Sequence, residues 1–131
     1  MLKLSSDYAI ENELIEVCSL FFDLEKDEAN IDCVFLDSSP YITVDGKFFY
    51  VNLSVDVKEK KFSRICKTEL YRVLSSYTGK KFPWGALTGV RPTKLGYEIL
   101  NAGGDVVDGL MAYEVSISKA QVVKRIIDNQ G

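Results

Sequence analysis

The apolar positions fall into two regimes. Ile10, Leu14, Val17, Cys18, Phe21 and Phe22 recur at spacings of three and four, which predicts an amphipathic helix over 8–22. Glu11, Glu13 and Glu16 cover its outer face, and Ser5, Ser6 and Asp7 are its candidate caps. Residues 1–5 alternate weakly, as a short strand does. Ile31, Cys33 and Phe35 alternate with Asp32, Val34 and Leu36 and predict a second strand over 31–36. Residues 41–44 lead into Asp45-Gly46, a strong two-residue hairpin signal. A turn there sets Ile42 opposite Phe49. It places Ile42, Val44, Phe49, Val51, Leu53 and Val55 on one face and Thr43, Phe48, Tyr50, Asn52 and Ser54 on the other. The longest helical stripe follows, from Phe62 through Leu70 and Leu74 to Tyr77, with Thr78-Gly79 as its stop.

The expected fold is therefore α+β. A small antiparallel sheet packs against two longer helices, in an order resembling a split βαβ arrangement, and a C-terminal group of short helices follows. In that second regime, residues 92–101 form a helix with Leu95, Ile99 and Leu100 inward. Asp105 caps a short helix running to Tyr113. Ser118 with Gln121 matches a capping box ahead of Val122, Val123, Ile126 and Ile127. The organisation expected is a core over 1–79 and a joint with helical extension over 80–131, within the same compact domain. The last helix stops with two apolar pairs in hand, as a cut ahead of a further domain would leave it.

Composition narrows the class. The 131 residues, 47% of them hydrophobic, suit one globular domain. No apolar run approaches a membrane span and no secretion signal opens the chain, so no membrane insertion and a cytoplasmic location are expected. The net charge of −3 conceals a polarity: residues 1–59 hold thirteen acids against four bases, and residues 60–131 six acids against twelve bases. That asymmetry can steer an anionic partner. It also allows a nucleic-acid-binding module carried by Lys60, Lys61, Arg64, Lys67, Lys80, Lys81, Arg91 and Lys94, with Tyr41, Phe48 and Tyr50 either stacking bases or simply packing.

Several chemistries are missing. The chain has no His, which removes His-based triads and the usual neutral-pH general base. Nothing matches a dinucleotide fingerprint, a phosphate loop or a calcium loop. Cys18, Cys33 and Cys66 form no CxxC pair and read as buried thiols rather than metal ligands. Asp37, Asp45 and Glu98 read as turn, cap or surface carboxylates.

Residues 80–94 join the two regimes and hold the single Trp, two Pro, two Gly and four basic residues. Gly85 and Gly89 permit sharp turns or close approach. Arg91-Pro92 reads as a helix start, placing Thr93 and Lys94 in a first turn whose amides favour an anion. Arg91 and Lys94 there could pair with a carboxylate or phosphate, one as a fork and the other as a point charge. Trp84 either stacks or plugs a gap between layers, with its N–H on a carbonyl. The segment is thus either a contact site or a structural joint.

The run Pro83-Trp84-Gly85-Ala86-Leu87-Thr88-Gly89-Val90-Arg91-Pro92-Thr93-Lys94 resembles the Pro-Trp-Gly-x-Leu-Thr-Gly-Val-Arg-Pro-Thr-Lys signature of a family related to oxygen-independent coproporphyrinogen III oxidase. These are radical S-adenosylmethionine enzymes of haem biosynthesis, often described as coproporphyrinogen dehydrogenases. The likeness is strong over twelve residues and diffuse elsewhere, including the 115–125 stretch. It implies an N-terminal accessory domain, not catalytic alone, that precedes a catalytic barrel and helps to position an anionic porphyrinogen. A 4Fe-4S cluster and S-adenosylmethionine are expected in that downstream catalytic domain, because the Cys-x-x-x-Cys-x-x-Cys motif that would hold them is not found in this chain. Carried onto these residues, the substrate- or anion-binding candidates are Arg91, Lys94, Thr93, Trp84, Gly85, Gly89 and Lys81. A nucleic-acid module and a purely structural protein-interaction domain are the alternatives.

Overall fold

Alternation in the first part of the chain is realised as a four-stranded sheet with two helices against it. The computed structural model describes residues 1–130. The chain divides into two compact units, Met1–Lys80 and Lys81 onward.

In the first unit, β1 (Lys3–Ser6), α1 (Glu11–Phe21), β2 (Asn30–Val34), β3 (Tyr41–Val44), β4 (Lys47–Tyr50) and α2 (Phe62–Thr78) follow in order. The sheet order is β1-β2-β3-β4, with β1 parallel to β2 and the other two pairs antiparallel. The split βαβ expectation is corrected on this point. No strand is inserted between β1 and β2, so the sheet is mixed rather than wholly antiparallel. The hairpin register is as expected, Ile42 opposite Phe49, because Asp45 and Gly46 both take positive φ, 49° and 83°. Ile31, Cys33, Ile42 and Val44 of the sheet, Leu14, Val17 and Cys18 of α1 and Cys66, Leu70 and Leu74 of α2 are all buried and form the core of this unit. α2 stops at Gly79, whose φ of 76° lets its N–H donate to the Ser75 carbonyl at 2.8 Å.

Three local expectations in this unit fail for one reason, which is that polar groups found other partners. The first helix begins at Glu11, and none of Ser5, Ser6 and Asp7 caps it. Asp7 instead accepts from the amides of Phe35 and Leu36 at 2.8 and 3.1 Å. β2 stops at Val34, short of residue 36. The alternation over 51–55 persists in burial but is not a strand, because the Asn52 N–H donates to the Glu69 carboxylate of α2 at 2.7 Å.

The second unit holds α3 (Pro92–Asn101), α4 (Val106–Met111) and α5 (Ile117–Gln130) around Leu87, Leu95, Val106, Leu110, Val123 and Ile127. Two glycines let these helices approach closely. A Cβ on Gly96 would lie 2.6 Å from Ile127 Cδ1, and one on Gly109 would lie 2.6 Å from Ile99 Cγ2. Asp105 caps α4 as expected, its carboxylate accepting from the Asp108 N–H at 2.9 Å. The helix ends at Met111 rather than Tyr113. Leu100 faces outward at 47% exposure, and Val122 and Ile126 also lie outside the core. The start of α5 uses Ser116, which accepts from the Lys119 N–H at 3.4 Å, and not Ser118. Among the described residues, no helix is long and apolar enough to cross a membrane.

Candidate functional site

The 81–94 segment is built into the second unit by its backbone. The Gly85 N–H donates to the Phe82 carbonyl at 3.1 Å and the Leu87 N–H to the Trp84 carbonyl at 3.2 Å, giving two successive turns. Two further bonds tie these turns to the α4–α5 connection. Ala86 N–H donates to the Tyr113 carbonyl at 3.0 Å, and Ser116 N–H donates to the Pro83 carbonyl at 2.8 Å. Gly85 lies between them at φ 57°. A Cβ there would stand 2.3 Å from the carbonyl carbon and oxygen of Glu114, itself at φ 67°. Two main chains therefore pass at a distance that only glycine allows. Leu87 then enters the core with Val90 packed beside it, and Gly89, at φ 69°, turns the chain toward α3.

Arg91 is the extended residue before α3, and Pro92 opens the helix. No side chain caps this end. Arg91 and Lys94 are exposed, Thr93 is half-buried, and neither Arg91 nor Lys94 has a hydrogen bond or ion pair among the described residues. Lys81 is exposed as well. The free amides and the two cations lie in one helical turn, a setting that favours an anion.

Five of the seven candidates divide between two settings. Arg91, Thr93 and Lys94 share the start of α3, while Trp84 and Gly85 sit against the turn that leads into α5. Gly85 allows the close approach to Glu114, and Gly89 shapes the bend. Trp84 is only partly covered. It is 37% exposed, and the Lys119 ammonium stands 5.6 Å from its ring centroid. Glu114, Ser116 and Lys119 complete this arrangement; Ser116 and Lys119 fall in the 115–125 stretch that carries the diffuse likeness, but its spacing did not show that they meet residues 83–85. They meet Pro83, Trp84 and Gly85 only through the return of the chain after α4.

Other reactive groups lie in the first unit. Cys18, Cys33 and Cys66 are free and buried. Burial pushes the Cys18 and Cys66 thiols up to about 12, and burial together with the other two thiols raises Cys33 further. Among the described residues, no group of three or more His, Cys, Asp or Glu is arranged to hold a metal ion. Two surface cavities, of about 500 and 240 Å³, lie in the first unit, the smaller lined by Phe35, Leu36, Leu53, Val55 and Phe62 among others. Of the basic residues in the nucleic-acid reading, Lys67 is buried at 6% exposure. Phe48 and Tyr50 are exposed, but their rings pack in a row with Tyr41, whose centroid lies 4.5 Å from that of Phe48. No family model, curated protein or solved structure matches this chain.

Proposed function

We propose that the chain serves as a non-catalytic accessory domain of an oxygen-independent coproporphyrinogen III oxidase-like enzyme, and that the start of α3 receives a propionate of the anionic porphyrinogen. The single observation that carries this reading is that Gly85 and Ala86 anchor the twelve-residue signature while Arg91 and Lys94 stay unpartnered at an uncapped helix start. Arg91 provides the fork for the carboxylate, Lys94 adds charge, and Thr93 lies in the same turn. Trp84 braces the segment. The iron–sulfur cluster and S-adenosylmethionine belong to a downstream catalytic domain, where they would supply the radical chemistry. This domain contributes orientation and charge.

The test is a titration of the chain with coproporphyrin III, followed by porphyrin fluorescence at two salt concentrations, alongside a labelled single-stranded RNA. Arg91→Ala is expected to weaken porphyrin binding about tenfold with an unchanged urea midpoint. In the complete enzyme the same change is expected to lower coproporphyrinogen oxidation by a similar factor. Undiminished binding and activity in Arg91→Ala would remove the clamp. RNA binding that falls steeply with salt and outcompetes the porphyrin would favour the nucleic-acid module instead.

A further inference from the structure

The side of α5 that turns away from its own core carries a second apolar stripe. Val122 and Ile126 are 37% and 38% exposed and stand one helical turn apart. Lys119 precedes them on the same side, and Trp84 lies under its ammonium at that end. Single exposed aliphatics are ordinary. What distinguishes these is their alignment with a half-exposed indole and their electrical setting. Arg125 borders the stripe opposite Lys119, is exposed, and has no partner among the described residues. The carboxylate of α5, Asp128, points roughly a third of a turn or more away from the stripe and is paired with Lys124 at 2.7 Å. The surface is therefore apolar along its middle, cationic on both borders and free of acid on α5.

We propose that this stripe docks an acidic amphipathic helix. The stripe runs along α5 from Lys119 to Ile126, roughly 10 Å, which matches a partner presenting apolar side chains at i, i+3, i+4 and i+7. Those side chains cover Val122, Ile126 and the exposed edge of Trp84. Carboxylates on the partner's flanks reach Lys119 and Arg125, and the unneutralised charge selects an acidic helix over a basic one. Trp84 is shared with the 81–94 segment, but Arg91 and Lys94 are not part of this surface and its test turns on Val122 and Ile126, so it stands or falls apart from the substrate reading.

The probe is a synthetic helical peptide with leucines at i, i+3, i+4 and i+7 and glutamates on both flanks, titrated into the full chain. Trp84 is the sole tryptophan and reports binding by its emission. A blue shift is expected, with affinity for a lysine-flanked version of the peptide weaker by about tenfold or more. Ile126→Asp is expected to weaken the glutamate peptide by about tenfold with unchanged circular dichroism. Val122→Gln serves as a milder second variant should the aspartate disturb folding. Absence of binding, equal affinity for both peptides, or full affinity in both variants would overturn the proposal. It would also be overturned if the shift came only with phosphatidylserine vesicles, which would make this a lipid surface. A concentration-dependent dimer abolished by Val122→Gln would overturn it too, assigning the stripe to a second copy of the chain.

Discussion

The two units solve the same problem by different means. In Met1–Lys80, carboxylates hold the main chain: Asp7 takes the amides of Phe35 and Leu36, Asp45 takes that of Asn30, and Glu69 takes that of Asn52. In the unit that follows, the tightest constraints come from side chains that are missing. Gly85, Gly96 and Gly109 each occupy a place where a Cβ would collide. A fold rich in loops between strands has many backbone amides to satisfy far from their own element. A fold of three short helices satisfies most amides internally and is limited by how closely its pieces approach. The candidate site belongs to the second kind: its main-chain hydrogen bonds to the α4–α5 connection form only because Gly85 lets the two backbones come that close.

The sharpest break of this contrast is Gly85→Ala. The new methyl would meet main-chain atoms of Glu114 at 2.3 Å in a left-handed conformation, and neither can yield. A loss of about 3 kcal/mol or more is expected in urea unfolding followed by Trp84 emission.

Alkali should act in the opposite quarter, on the first unit. The ordinary thiol value is 9.0, and all three buried cysteines are raised above it. The unfolded chain loses these protons above about pH 9 while the folded chain keeps them. Their contribution is therefore intact below about 9 and is lost as pH climbs toward about 12. Lys67 has the opposite sign: burial lowers it from 10.5, so its penalty eases as pH rises, which offsets part of the loss. A net fall of about 2–3 kcal/mol between about pH 9 and 10 is expected, from at most about 1.4 kcal/mol per thiol. Urea midpoints read by thiol labelling should fall in that range, while those read by Trp84, in the unit without cysteine, should move less.

Asp7→Ala removes both acceptors from the Phe35 and Leu36 amides. A cost of about 2 kcal/mol is expected, measured by faster thiol labelling in urea. Gly96→Ala closes the series. Its Cβ meets the end of the Ile127 side chain, which can swing aside, and stands 3.0 Å from the stiffer Val123, while alanine favours the helix. A net change within about 1 kcal/mol is expected. A Gly96→Ala loss as large as that of Gly85→Ala would erase the distinction between backbone and side-chain collisions.

The α+β class, the Asp45-Gly46 register and the span of α2 and α3 were legible because periodicity and turn chemistry are local. The pairing of β1 with β2 was not, since two short strands separated by α1 carry nothing in their own residues that names their neighbour. The cluster of Ser5, Ser6 and Asp7 announced polar groups seeking amides but not which amides, and Asp7 served β2's exit instead of α1. At the site, Gly85, Gly89 and Arg91-Pro92 announced their conformations from sequence. The ring environment of Trp84 did not, because Lys119 reaches it only after three helical segments have folded back.

The burial of Cys18, Cys33 and Cys66 has a practical side. Thiolate is the form that attacks maleimides and is the more readily oxidised, and these sulfurs stay protonated behind packed side chains. The native chain is thus a chemically quiet background for bioconjugation. A cysteine introduced by Lys81→Cys, on an exposed position, would take a dye or spin label selectively without prior removal of the natural three.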